Sequence, residues 1–355
     1  MSAPTTIIAG LWRELMTKLQ VASMKKYHIY GVGAALVDTE IEVNDDDLAQ
    51  MGIEKGVMTL VDQQRQTELI DHLENHLITA SRASGGSAAN TIIASSYFGS
   101  KTFYSCKVAS DENGAFYLQD LRDAGVDSNF HDEKEHGVTG RCLVLISPDA
   151  ERSMNTYLGI SESLSVADLN HQAIAESEYV YIEGYLVTSE TGRAAAIETR
   201  SVAEKNQVKT ALSLSDPGMV EFFKDGLKEM IGNGVDLIFC NKAEALGWAE
   251  TEDLEEAIAA LKLTARTFAI TLGAEGALIF DGEESHLIPG HAVDAVDTNG
   301  AGDMFAGAFL YGITNNYSFK QAGELASRAA AQVVSQYGPR LQAKQHSDIL
   351  KNIVL

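Results

Sequence analysis

Cysteine is scarce in this chain: Cys106, Cys142 and Cys240 stand far apart, with no CxxC spacing and no histidine-rich neighbours. That excludes a disulfide framework and a zinc site, and it fits a reducing, cytoplasmic setting. Each cysteine reads as a small buried hydrophobe rather than a nucleophile. Positive charge is short as well. Lys plus Arg number 27 against 50 Asp plus Glu, a formal net charge of −23. A surface this acidic repels nucleic acid and anionic lipid, so neither is an expected partner. It still tolerates a nucleotide substrate, because Mg²⁺ and local backbone dipoles outweigh a distant field. No stretch approaches the roughly 18 apolar residues of a membrane span. Nor is there a Gly-x4-Gly-Lys-Ser/Thr sequence, which excludes the phosphate loop of the common NTPases.

What is present is ordinary for a globular protein: 355 residues, 45% hydrophobic and 22% charged. That length predicts one large domain with a smaller appendage. Leu11, Leu15 and Leu19 suit a short amphipathic leader, so residues 1–23 read as an extension. The domain proper is expected over 24–345, with a tail over 346–355. Short apolar runs at Tyr179–Glu183, Thr210–Ser215, Val235–Cys240 and Phe268–Leu272 alternate with helical patterns at Ser189–Lys205, Met219–Met230 and Leu254–Thr264. This is the pattern of βαβ units: an α/β fold with a mostly parallel sheet covered by helices on both faces. Extended pieces near 34–61 and 128–160 lack long intervening helices. They predict a small separate sheet, placed as a lid over a cleft. The first piece is expected to stay extended as far as Asp45-Asp46-Asp47.

The richest chemical signal is Asp297-Thr298-Asn299-Gly300-Ala301-Gly302-Asp303, followed by an Ala-rich helical pattern. Three small residues let the backbone turn tightly against a ligand. The first N–H groups of the helix that follows are unpaired, so the turn can hold a transferring phosphoryl group. Asp303, in the first helical turn, complements the helix dipole in the plain structural case. The fuller string favours a general base that takes a proton from an attacking hydroxyl.

Gly85-Gly86, with Asn90 four residues on, opens another helix. Paired glycines there admit a ligand to bare backbone or simply make a common turn. Asp38 lies just past Gly31 and Gly33 at a strand end, where a carboxylate can accept from vicinal hydroxyls. The third glycine of a dinucleotide fingerprint is missing. Asn241 and Glu244, at i and i+3 on a starting helix, can hold a hydrated Mg²⁺ through water or form a capping box. Thr271, Gly273 and Gly276 end another strand and can meet nucleotide phosphates.

Taken in order, these motifs resemble the ribokinase-like (PfkB) family of carbohydrate and nucleoside kinases, from Met24 onward. Within it, Glu151–Gly159, Glu183-Gly184-Tyr185-Leu186 and Leu214-Ser215-Asp216 look closest to bacterial adenosine kinases. The resemblance implies ATP-dependent phosphorylation of a small-molecule acceptor, a nucleoside 5′-hydroxyl such as that of adenosine, by a monomer or homodimer. A sugar kinase is the alternative, and a non-catalytic binding protein of the same fold is a third. Asp303 would be the base, with Gly300, Ala301 and Gly302 as the anion hole. Asp38, Gly85, Gly86, Asn90 and Glu183 would bind the acceptor. Asn241, Glu244, Thr271, Gly273, Gly276 and Arg152 would serve MgATP, with Arg152 meeting phosphate from the lid. A K⁺ ion would sit beside Asp297 and Asn299. Tyr157 and Tyr185 are open between flanking a purine and filling the core. One departure is Ala34, where adenosine kinases often carry Asn, which removes an acceptor contact.

Overall fold

The computed structural model describes residues 25–73, 81–129, 135–149 and 151–353. The leader expected over 1–23 lies outside them. Nine strands form the main sheet in the order β14-β13-β12-β11-β10-β9-β1-β5-β6. In chain order these are β1 (Tyr27–Val32), β5 (Thr102–Ser105), β6 (Val126–Ser128), β9 (Ser177–Glu183), β10 (Lys209–Ser213), β11 (Val235–Asn241), β12 (Ala265–Thr271), β13 (Gly276–Phe280) and β14 (Ser285–Pro289). The last two pair antiparallel as a hairpin at one edge, which the sequence reading missed, and β13 also runs antiparallel to β12; every other pairing is parallel.

Successive strand residues point to opposite faces. In β11, Leu237 and Phe239 enter one core while Ile238 and Cys240 enter the other. Tyr179 and Tyr181 alternate in the same way with Val180 and Ile182 in β9. All three cysteines are free and buried. Both faces are therefore covered, and the strands read as near-continuous apolar runs.

On the first face lie the helices Ser87–Phe98 and Ala301–Thr314. They approach closely, and a Cβ on Gly307 would press on the Thr91 carbonyl and the Ala94 methyl. The chain then continues through the helix Phe319–Val333 to a last helix, Ala343–Asn352. His346 and Ile349 are buried there, so the tail expected from 346 begins inside a packed helix.

The second sheet has five strands in the order β3-β8-β7-β2-β4. They are β2 (Leu36–Glu42), β3 (Met58–Leu60), β4 (Ser81–Gly85), β7 (Thr139–Ile146) and β8 (Arg152–Gly159). One face packs Ile41, Leu143 and Leu145 against the helices Asp45–Met51 and Gln63–His72. The other carries Leu36, Cys142, Val144, Ile146 and Met154 together with Asp38. The stretch expected to remain extended to Asp47 instead turns helical at Asp45. Asn44 and Asp47 close a capping box there, and three acids in the first turn favour the positive helix end. Gly85, read as part of a helix start, belongs to β4, and the helix begins at Ser87.

Candidate active site

Parallel strands bring their carboxyl ends to one edge, and the chain order reverses between β9 and β1. Such a switch point is where α/β folds bind ligands. The register sets Val32 beside Ile182 and Asn241 beside Thr271, so the loops after these strands line one rim.

At the switch point, Glu183 is 1% exposed and both its oxygens are occupied. Oε1 accepts from Ala34 N at 2.6 Å and Oε2 from Ala88 N at 2.8 Å. Burial pushes this carboxyl up to about 7; the two backbone donors oppose that shift. The side chain thus fastens the β1–β2 turn to the start of the helix Ser87–Phe98. It leaves no oxygen free for an acceptor.

Asp303 stands in the first turn of the helix Ala301–Thr314. Ser87 Oγ donates to its Oδ1 at 2.7 Å, and Asn90 Nδ2 donates to its Oδ2 at 3.0 Å. Burial raises its pKa, while these two bonds and the Arg152 charge lower it. Ser87 was invisible as a site residue in the sequence, because a serine after Gly-Gly reads simply as a helix start. Asn90 therefore holds the Asp303 carboxylate, and its own Oδ1 is buried with no partner. An acceptor hydroxyl is the group that would satisfy it.

The turn before Asp303 is rigid behind and open in front. Gly300 has φ 72°, and a Cβ there would overlap the Pro339 carbonyl. Gly302 faces open space. The Met304 N–H returns to Gly300 O at 2.8 Å, and no described residue accepts from the N–H of Gly302 or Asp303. Asp297, fully buried, braces the turn: Oδ1 accepts from Asn299 N at 2.8 Å and Oδ2 from Gly338 N at 3.0 Å.

Arg152, on β8, reaches across from the small sheet. Its Nε donates to Thr298 Oγ1 at 3.1 Å and its Nη1 to Asn299 Oδ1 at 2.9 Å. This sets a cationic fork beside the open turn. It also occupies the one oxygen of Asn299, whose amide nitrogen is a buried donor without a partner.

Asp38 is 6% exposed. A Cβ on Gly85 would overlap its carboxylate, which explains a glycine at that position. Burial drives this acid up to about 8. Glu40 and Asp303 add to the rise, and Arg340 and Arg152 oppose it. Gly86 caps the helix that carries Ser87 and Asn90. Tyr157 faces away from Asp38, toward Gln63 and Arg141, and Tyr185 turns its hydroxyl to Ser215 O at 3.4 Å.

Farther along the rim, Asn241 and Glu244 form a complete capping box, with Glu244 N donating to Asn241 Oδ1 at 2.8 Å and Asn241 N to Glu244 Oε2 at 3.1 Å; Asn241 Nδ2 adds a bond to Oε1 at 2.6 Å. Burial raises Glu244 to about 8, with nearby Asp216 adding to the rise. No lysine or arginine among the described residues pairs with it. A buried acid without a counter-charge suits a nearby hydrated cation. The glycines beyond Thr271 separate into two kinds. Gly273 has nothing within 4 Å of an added Cβ, whereas Gly276 is pressed against the backbone of β14. Gly273 faces open space; Gly276 serves the hairpin.

Residues 58–345 match the model of the pfkB family carbohydrate kinases. The fold is similar to the crystal structure of adenosine kinase from Sinorhizobium meliloti, with TM-score 0.87 and 33% identity over 92% of this chain and all of that one. It is similar also to a probable sugar kinase from Rhizobium etli CFN 42, with TM-score 0.86 and 32% identity over 93% of this chain and all of that one. In sequence, the adenosine kinase of Schizophyllum commune is 25% identical over 90% of this chain and 98% of its own length. The chain belongs to the pfkB family. It is an ATP-dependent kinase, with an alcohol as phosphoryl acceptor.

Proposed function

We propose that this kinase phosphorylates the 5′-hydroxyl of adenosine, with Asp303 as general base. The observation that carries the reading is the grip of Ser87 and Asn90 on Asp303 beside a helix end whose N–H groups are free. Phosphoryl transfer asks a protein chiefly for positioning and electrostatic stabilisation. The Gly302 and Asp303 N–H groups supply fixed dipoles for the charge on the transferring group. Arg152 is a second source of positive charge, within reach from the small sheet. Asn90 Oδ1 and Asp38 accept from acceptor hydroxyls, and Asp303 takes the proton of the attacking one. The apolar face around Asp38, formed by Leu36, Cys142 and Met154, suits a flat base better than a free sugar. The likeness to adenosine kinases over nearly the full chain supports the same choice.

Asn241 and Glu244 would hold Mg²⁺ through its water shell, where the ion would neutralise phosphate charge. Asp297 could border a monovalent cation, though in this geometry both its oxygens already serve backbone donors. The small sheet acts as the lid, excluding water so that ATP is not hydrolysed.

The likeness to a probable sugar kinase keeps one alternative in view. Phosphate transfer from MgATP to adenosine, inosine, ribose and fructose separates the two. Adenosine is expected to be turned over with the highest kcat/KM. Turnover of ribose or fructose with adenosine inert would overturn the nucleoside assignment and leave the kinase class standing.

A further inference from the structure

Ser161 stands in the short turn Ile160–Ser163, just past the end of β8, and is buried. Its single hydroxyl serves three partners. Oγ accepts from Ala35 N at 3.1 Å, and its one proton is shared by Ala35 O at 2.9 Å and Lys107 O at 3.0 Å. Ala35 belongs to the turn by which the chain leaves β1 of the main sheet for β2 of the small one. Its neighbour is held in the same manner. Glu183 takes the Ala34 N–H, and Tyr104, from β5, donates its hydroxyl to Ala34 O at 3.0 Å. Side chains from three separate elements therefore meet both backbone groups of two consecutive residues.

A chain that leaves a sheet gives up its ladder partners, and buried peptide groups must find others. Any nearby donor or acceptor would meet that need alone. Here one hydroxyl joins the segments that follow β1, β5 and β8, so it also fixes them relative to one another. The strands concerned carry site residues: Asp38 lies on β2 and Arg152 on β8. β8 is tied at both ends, by Arg152 to Thr298 and Asn299 at its start and by Ser161 just beyond its finish. When Arg152 turns to phosphate the first tie is given up, and the second remains.

We propose that Ser161 is a positioning residue for the acceptor: its hydroxyl pins the crossing between the two sheets and so sets where Asp38 stands relative to Asp303. This rests on the reading of Asp38 as the acceptor-binding acid and of Asp303 as the base.

The test compares Ser161→Ala with Ser161→Cys, which keeps the side-chain volume but offers a thiol too weak to replace the hydroxyl. Hydrogen exchange of the ligand-free protein is followed by mass spectrometry in peptides spanning 36–42 and 139–146 of the small sheet, and 177–183 and 235–241 of the main one. Both variants should exchange about tenfold faster in the small sheet and be unchanged in the main sheet. With MgATP, the adenosine KM should rise about tenfold while kcat stays within about threefold. If adenosine is inert, this arm is read on whichever acceptor is turned over, and the exchange result stands regardless. If neither variant folds, Tyr104→Phe, which frees Ala34 O and keeps the ring, is read the same way. Unaltered exchange in the small sheet overturns the proposal. So does equal acceleration in both sheets, the mark of a general stabiliser. A wild-type KM in a variant whose small sheet has loosened overturns it too, as does a cysteine variant that behaves as wild type, since volume would then suffice.

Discussion

Two glycine-rich turns, each opening a helix, face one another across this site, and they are used in opposite ways. The helix Ser87–Phe98 has an internal anion at its start: Glu183 accepts from Ala88 N and ties it to Ala34. The helix Ala301–Thr314 carries Asp303 in its first turn, but among the described residues no carboxylate accepts from its Gly302 or Asp303 N–H, and Gly302 looks into empty space. Helix N-termini attract negative charge wherever they occur. A protein carboxylate filling one of them makes that one a structural joint and leaves the other for a phosphoryl group. The two are then joined by Asp303, which belongs to the open helix and is gripped by the closed one.

Removing the joining charge should have the largest effect. Asp303→Asn is expected to lower kcat by about 10²–10⁴-fold, with adenosine binding by calorimetry little changed; near-normal turnover would remove Asp303 from the chemistry. Next, Gly302→Glu would put a second carboxylate at the open helix end, in the space in front of the turn. We expect kcat/KM for ATP to fall about 10–100-fold with the melting temperature held or raised, since a carboxylate suits that helix end. Unchanged use of ATP would mean that the phosphate lies elsewhere. Conversely, Glu183→Gln leaves one of two buried N–H groups facing an amide nitrogen, a cost of about 1–3 kcal/mol by denaturant unfolding. An unaltered transition would show that the joint carries no weight.

The smallest effect concerns Asp38. Its folded pKa is raised to about 8 from an ordinary value near 4. The folded state therefore binds the extra proton between those values, and stability is lost as pH climbs through that window. Asp38→Asn removes the penalty. It should raise the melting temperature at pH 8.5 by about 2 °C or more, with little change at pH 4, while acceptor binding suffers. A lower melting temperature at pH 8.5 would contradict the burial argument.

How far each turn could be read from sequence follows from its occupant. Gly300-Ala301-Gly302-Asp303 announced itself because the open turn needs small residues and an acid within four positions. Asn241 and Glu244 were legible as a pair, and their capping box is realised. The partners that arrive from afar carried no local signal. Ser87 lies 216 positions from Asp303, Ser161 lies 126 from Ala35, and Glu183 lies 149 from Ala34. Their roles exist only once the sheet is assembled. The parallel core was plain from alternating apolar runs and helices, whereas the hairpin β13–β14 was lost because its five-residue strands look like the loop after Thr271. Asp45–Asp47 was misjudged for a different reason: its cap, Asn44, sits in plain view, but an acidic run after a strand was read as a strand end.

The contact between Gly307 and Thr91 gives Asp303 a mechanical dependence. One helix holds Asp303 and the other supplies the two groups that aim it, so the spacing between the helices sets the direction of the carboxylate. A methyl group added at 307, more than a turn from any reacting atom, would wedge the pair apart. Such a change could slow phosphoryl transfer without touching nucleoside or nucleotide, which makes an interior packing position a control on rate.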